Sequence, residues 1–67
     1  RYTVWCVRIT AGKGYKIKDM TVSQVRGPNL VHIIKGATQF ADMTTIFRQC
    51  RTGDKIVFSI YRVVEVT

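Results

Sequence analysis

The range Gly12–Ile17 offers the most chemistry in the sequence, because two glycines flank a lysine directly before residues that favour a strand. Glycine adopts backbone conformations that other residues rarely reach, so this loop can turn several N–H groups toward one point and hold an anion. A strand that begins directly after the loop can pair its edge with an extended peptide. The simpler alternative is a plain hairpin loop whose lysine serves solubility.

The other reactive side chains form no catalytic or metal-binding arrangement. His32 is the single histidine and lies inside the apolar run Leu30–Ile34, where a histidine is more often structural. Two cysteines and one histidine fall short of the four ligands of a structural zinc site, and the four acids include no adjacent pair for acid–base catalysis. We therefore expect a protein that is not an enzyme and that needs no cofactor.

The charge of the chain favours an acidic partner. Eleven lysines and arginines oppose four acids, which gives a net charge of +7. Residues 1–26 hold six of these cations and one acid, so most of the charge lies there. Such an asymmetry suits nucleic acid, an anionic membrane face or a carboxylate-bearing peptide. The alternative is that the scattered lysines serve only solubility. Separately, no apolar run approaches the roughly 20 residues of a membrane span.

The length and the cysteines indicate one small domain over residues 1–67. A chain of 67 residues with 46% apolar residues can fold, but a domain of this size buries only about 60% of its surface and has a thin core. Cys6 and Cys50 stand alone, unlike the dense cysteines of many small secreted domains. We expect two buried free thiols and a cytoplasmic location. A single disulfide between Cys6 and Cys50 is the alternative.

The hydrophobic periodicity predicts one helix among several strands. Phe40, Met43, Phe47 and Cys50 recur at helical spacing, and Ile46 widens this apolar stripe. Thr38 is the expected N-cap and Gly53 the expected left-handed cap after the helix. Apolar, β-branched and alternating residues predict strands at residues 2–10, 15–18, 20–25, 30–34 and 55–66. This order predicts an α+β fold, either a small barrel or a sandwich.

Two stretches of the chain resemble PDZ domains. Gly12–Tyr15 resembles their carboxylate-binding loop, usually Gly-Leu-Gly-Phe, although Lys13 replaces the apolar second residue. Asn29–Arg62 is similar to the PDZ succession of strand, turn, groove helix, Gly-Asp turn and final strand, especially in the trimeric serine proteases. Only twelve residues separate Ile17 from Leu30, so the first PDZ helix is either missing or reduced to the turn at Gly27 and Pro28. The resemblance is therefore to a minimal or degenerate PDZ domain.

The resemblance implies a PDZ-like β-sandwich or partly open barrel with one main helix. It also implies a protein–protein interaction module, whose partner is a peptide or the C-terminus of a protein. The loop that begins at Gly12 would hold the ligand's carboxylate through the N–H groups of Lys13, Gly14 and Tyr15. The ligand would lie as an added strand beside the helix and pair with the backbone of Tyr15, Ile17 and Asp19.

The same resemblance implies contacts to the ligand's side chains. An apolar pocket for the last ligand residue would be formed by Tyr15, Ile17, Ile46 and Phe47. Asp42, near the start of the helix, would contact a residue further along the ligand. An aspartate there favours a hydroxyl or a cationic group on the ligand.

Two other functions stay open. A nucleic-acid-binding β module would use the cations Arg8, Lys13, Lys16, Lys18 and Arg26 as phosphate contacts, with Tyr15 or Trp5 stacking on bases. The aromatic signature of RRM domains and the Gly-x-x-Gly loop of KH domains are both missing. A structural domain that assembles through its strand edges is the third possibility.

Overall fold

The computed structural model describes residues 5–66, which form two antiparallel sheets and one short helix. The elements are β1 Cys6–Arg8, β2 Tyr15–Arg26, β3 Asn29–Ala37, β4 Phe40–Asp42, α1 Thr44–Gln49 and β5 Lys55–Glu65. The α+β class is confirmed, but the described part of the chain forms no closed barrel. No helix within it has the length and apolar character to cross a membrane.

The larger sheet has the strand order β3-β2-β5, with β2 at its centre. The two strands predicted at residues 15–18 and 20–25 are one continuous strand, β2. β2 pairs with β5 along almost its whole length, from Tyr15 opposite Glu65 to Val25 opposite Lys55. β3 pairs with β2 only from Met20 onward. The first residues of β2 are therefore paired on one side alone.

The smaller sheet joins β1 to β4. Val7 lies opposite Ala41, and the pairing continues one step further through a 2.8 Å hydrogen bond from the Ile9 N–H to the Gln39 carbonyl. The strand predicted at residues 2–10 is observed at Cys6–Arg8, and residues 2–4 lie outside the described range. This pairing brings the segment after β1 alongside the segment before β4.

The core lies between the central strand β2 and the layer formed by β1, β4 and α1. Its buried apolar members are Ile17, Met20, Val22, Ala37, Ala41, Met43 and Ile46. Ile17 and Met20 are three residues apart, so a regular strand would place them on opposite faces. The pairing of β2 with β5 is irregular around Asp19. This irregularity turns both side chains to the same face.

The helix is shorter than the periodicity predicts, and its first turns are a strand instead. Phe40 belongs to β4 and is half exposed, because pairing with β1 overrides the helical spacing. α1 begins at Thr44 and not after Thr38, and it ends at Gln49. Gly53 adopts a left-handed conformation with φ of +94°, but it belongs to the turn before β5 and does not cap the helix.

The helix also buries a different face from the one predicted. Met43 and Ile46 are almost fully buried, whereas Phe47, the predicted centre of the stripe, is 40% exposed. The Phe47 ring packs edge-on against Trp5, with 5.7 Å between the ring centroids. Phe47 therefore covers the margin of the core and does not fill its centre.

Both cysteines are free and exposed. Cys6 lies on β1 opposite Asp42, and Cys50 follows the end of α1. The expectation of free thiols is confirmed and the expectation of their burial is wrong, because β1 and the segment after α1 both lie at the surface of this thin fold.

Candidate functional site at the open end of β2

A cleft of about 380 Å³ opens where the loop before β2 meets the unpaired part of that strand. It is lined by Arg8, Ile9, Thr10, Ala11, Gly12, Lys13, Gly14, Tyr15, Ile17 and Gln39. Five of the seven residues predicted for the site are in this set: Gly12, Lys13, Gly14, Tyr15 and Ile17. The structure thus gathers the loop and the start of β2 around one concave surface.

The two glycines of the loop have the backbone conformations for which glycine is needed. The φ angles are +121° at Gly12 and +86° at Gly14, in the left-handed half of conformational space. The Tyr15 N–H donates to the Gly12 carbonyl at 3.2 Å and closes a tight turn. The Gly14 carbonyl accepts a 2.7 Å hydrogen bond from the Val66 N–H, which ties the loop to the chain after β5.

These bonds determine which N–H groups of the loop already have a partner within the fold. The Tyr15 N–H already donates to the Gly12 carbonyl inside the turn and is not free to bind a carboxylate in this conformation. The N–H groups of Lys13 and Gly14 donate no hydrogen bond to any other described residue. Of the three predicted backbone donors, the N–H groups of Lys13 and Gly14 therefore have no described partner.

The first residues of β2 present unpaired backbone groups on the cleft side. The Gly14 carbonyl points toward β5, where it accepts the Val66 N–H just before β2 begins. Within the strand, alternate residues direct their backbone groups to opposite edges. The carbonyl of Tyr15 and both backbone groups of Ile17 therefore face away from β5. Among the described strands, none occupies this edge before Met20. An extended peptide could pair there.

The cleft is positively charged. Arg8 and Lys13 line it, and its lining includes no acidic side chain. Within residues 5–66 the ion pair found joins Arg26 to Asp54, so neither cation of the cleft is neutralised by a described acid. An anion that enters the cleft would meet two cations, neither of which is paired with a described acid.

Asp42 lies outside this cleft and is engaged at the start of α1. Its carboxylate accepts a 2.6 Å hydrogen bond from the Thr44 hydroxyl and a 3.0 Å bond from the Thr44 N–H. These two bonds, the hydroxyl first, hold the pKa of Asp42 below its usual range. The Thr44 hydroxyl in turn accepts the Trp5 N–H at 2.9 Å. Asp42 thus fixes the junction between β4 and the helix and is not placed to read a ligand at the glycine loop.

The apolar end pocket implied by the PDZ resemblance is not assembled. Ile46 is fully buried in the core, and the Ile17 side chain is buried beside it in the same cluster. Tyr15 is 53% exposed, and Phe47 packs on Trp5. No residue of α1 lines the cleft. The lining of the cleft is instead largely polar and comes from the glycine loop, the start of β2 and the segments that flank β1 and β4.

Five lining residues are not among those predicted for peptide binding: Arg8, Ile9, Thr10, Ala11 and Gln39. Arg8 comes from β1 and Gln39 from the segment before β4. They meet only because β1 pairs with β4 across some thirty residues of chain. No local signal in the sequence marks either residue, since the contact depends on a long-range strand pairing.

A separate polar cluster surrounds Asp54 and has a structural role. Asp54 accepts hydrogen bonds from Arg26 Nε and Nη2, each at 2.9 Å, from the Arg51 N–H at 3.0 Å and from Gln24 Nε2 at 2.8 Å. These donors, Arg26 first, hold the pKa of Asp54 well below its usual range. Gln24 is fully buried and also accepts from the Gln49 side chain at 2.9 Å. Arg26 is therefore committed to this cluster and is not a free phosphate contact.

No group of three or more metal-binding side chains occurs among residues 5–66. Comparisons of the chain with protein-family models, with curated proteins and with solved structures found no match.

Proposed function

We propose that this protein is an interaction module that binds the C-terminal end of an extended peptide in the cleft at the open end of β2. The proposal is supported by one observation: the glycine loop and the unpaired edge of β2 border the same cleft. In this proposal the loop and the strand would act as the corresponding parts of PDZ domains do. The arrangement differs in that the ligand strand lies between β2 and the segments flanking β1 and β4, away from α1.

The carboxylate of the ligand would accept hydrogen bonds from the N–H groups of Lys13 and Gly14. The side chains of Arg8 and Lys13 add favourable charge at the same end of the cleft. A hydrogen bond to a charged group contributes about 1.5–3 kcal/mol when it is well formed. Two such bonds make the carboxylate the principal recognition element.

The ligand backbone would then run antiparallel to β2. One ligand residue would exchange two hydrogen bonds with Ile17, and the carbonyl of Tyr15 would accept a third. Because the cleft side chains Thr10 and Gln39 are polar, we expect polar or acidic side chains in the last ligand positions. Binding of this kind involves no catalytic step and no cofactor, and a reducing compartment such as the cytoplasm suits two exposed thiols.

The test is a library of fluorescent peptides with free or amidated C-termini, measured by fluorescence polarisation. We expect binding of free carboxylates and a clear loss on amidation. Lys13→Glu should weaken binding strongly, while Lys35→Glu, the same change of charge on the exposed part of β3, should not. Equal binding of free and amidated peptides would contradict the proposal. Binding of a random oligonucleotide with a steep salt dependence would favour the nucleic-acid alternative.

A further inference from the structure

A second cleft, of about 460 Å³, opens beside the end of α1. It is lined by Arg26, Val31, Arg48, Gln49, Cys50 and Arg51, so its charged side chains are all arginines and none is acidic. It shares no residue with the peptide cleft, and the two clefts lie at opposite ends of β2. A ligand bound here would therefore be independent of the proposed peptide.

The acid that contacts this group of residues, Asp54, has its bonding capacity already filled. Its carboxylate accepts two hydrogen bonds from the Arg26 side chain, one from the Arg51 N–H and one from Gln24 Nε2. A carboxylate offers about four lone-pair sites in all. Asp54 thus balances the charge of Arg26, but it has no site left for the guanidinium groups of Arg48 and Arg51.

No contact within residues 5–66 explains the side chains of Arg48 and Arg51. Both residues are exposed, and neither guanidinium forms a hydrogen bond or an ion pair with a described residue. They are not needed to cap the helix, because the Gln49 carbonyl at its end already accepts from Arg26 Nη2 at 3.1 Å. Two like charges that border one cleft repel each other. A bound anion would relieve this repulsion.

We propose that this cleft binds a phosphomonoester group through the side chains of Arg48 and Arg51. A phosphomonoester carries close to two negative charges at neutral pH, which matches the two unpaired arginines. The planar fork of a guanidinium donates paired hydrogen bonds to phosphate oxygens. The volume of the cleft leaves room for the group that carries the phosphate, and Val31 offers that group an apolar contact.

Cys50 provides a reporter of occupancy. Its exposed thiol belongs to the lining of this cleft, whereas Cys6 is exposed on β1 and lies outside it. A ligand that fills the cleft should slow the alkylation of Cys50 by iodoacetamide, followed by mass spectrometry, and should leave the alkylation of Cys6 unchanged.

The main test is a titration followed by two-dimensional NMR of the backbone amides at about 0.15 M salt, which screens unspecific binding to a basic protein. The probes are inorganic phosphate, phosphoserine, and a C-terminally amidated peptide with and without one phosphoserine. Amidation keeps the peptides out of the proposed carboxylate site. We expect saturable shifts centred on residues 48–51 with every probe that carries phosphate, and none there with the unphosphorylated peptide. Tighter binding of the phosphorylated peptide than of phosphoserine would identify a phosphorylated protein as the source, and equal binding a small phosphorylated compound.

Arginine variants test the two contacts. Arg48→Gln and Arg51→Gln should each raise the dissociation constant of phosphoserine about tenfold, because each removes one charged donor. Arg62→Gln is the matched control, the same change on exposed β5, and should leave the constant unchanged. All three variants should melt close to the native chain, since none of these side chains forms a described hydrogen bond.

Shifts that never saturate, or that spread over all the basic residues, would overturn the proposal, because they would indicate counterion screening. An Arg62→Gln variant that weakens binding as much as the two cleft variants would do the same. Tighter binding of a single-stranded oligonucleotide than of the phosphorylated peptide at residues 48–51 would replace the phosphomonoester with a nucleic acid.

Discussion

Arg26 and Asp54 form a two-point ion pair that fastens the end of β2 to the turn before β5. Arg26 Nε lies 2.9 Å from one carboxylate oxygen of Asp54, and Arg26 Nη2 lies 2.9 Å from the other. The same Nη2 donates to the Gln49 carbonyl at 3.1 Å, at the end of α1. The Asp54 side chain is only 1% exposed. Arg26 and Asp54 together thus link the end of β2, the end of α1 and the turn before β5.

The first prediction follows from the number of donors that meet at Asp54. Asp54→Asn removes the charge and turns one acceptor into a donor that faces other donors, so the cluster with Arg26 and Gln24 cannot be satisfied. We expect the thermal midpoint to fall by at least several degrees. Asp19→Asn is the matched control, because Asp19 is exposed and makes no hydrogen bond within the cluster. Equal melting of the two variants would contradict a structural role for Asp54.

The second prediction is the response of stability to acid. The folded pKa of Asp54 is lowered from an ordinary value of 3.8, so folding favours its charged form. Its contribution is complete above that ordinary value and is lost as the pH falls through the lower, folded pKa. The exposed Asp42 is shifted in the same direction and adds to the loss.

Urea unfolding followed between neutral pH and about pH 2 measures this effect. The free energy of unfolding of the native chain should fall as the pH drops below about 4. In Asp54→Asn this fall should be distinctly smaller, since the group that titrates is gone. Parallel profiles for the two proteins would place the acid sensitivity elsewhere.

The third prediction distinguishes the buried face of α1 from the face that the sequence suggested. Ile46 has no exposed surface, so Ile46→Ala creates a cavity and should cost about 2–5 kcal/mol. Phe47→Ala removes a larger side chain that is 40% exposed, and it should cost less than Ile46→Ala. Urea unfolding of both variants gives the order. A larger loss of unfolding free energy for Phe47→Ala than for Ile46→Ala would instead support the buried helix face that the spacing predicts.

The comparison of Ile46 with Phe47 shows where local patterns fail in this chain. Strands such as Lys55–Glu65 can be recognised from the sequence, because their alternating or β-branched residues form a pattern within the segment itself. The predicted helix begins too early, because Phe40 and Met43 fit the same helical spacing as Phe47 and Cys50 although Phe40 belongs to β4. Their true assignment depends on β1 pairing with β4, which no local window contains.

The features of the cleft likewise include some that the sequence predicts and others that it does not. Glycines around Lys13 predict a turn before a strand from their conformational freedom alone, and the structure places a tight turn there. Arg8 and Gln39 reach the cleft through strand pairing, so the sequence offers no signal for them. The internal use of the Tyr15 N–H was equally hidden, since composition does not show which N–H groups a turn consumes.

The fourth prediction concerns the thiols. Cys6 and Cys50 are both exposed, so a maleimide should label both in the native protein without denaturant. Intact mass spectrometry should show two adducts, and adding denaturant before the reagent should add none. A native protein two daltons lighter that resists labelling would mean a disulfide. Labelling of one thiol only would mean that the other is covered.

The last prediction separates the binding role of the glycine loop from its conformational role. Gly14 and Gly36 both have left-handed conformations, with φ of +86° and +72°, and an added Cβ would meet no atom closer than 3.9 Å at either position. Gly14→Ala and Gly36→Ala should therefore destabilise the fold similarly, by about 1–2 kcal/mol of backbone strain. Only Gly14→Ala alters the loop whose N–H groups would face the carboxylate. We expect it to weaken the binding of a free C-terminal peptide, measured by fluorescence polarisation, while Gly36→Ala leaves the affinity unchanged. Equal affinities in the two variants, at matched stability, would remove the loop from the binding site.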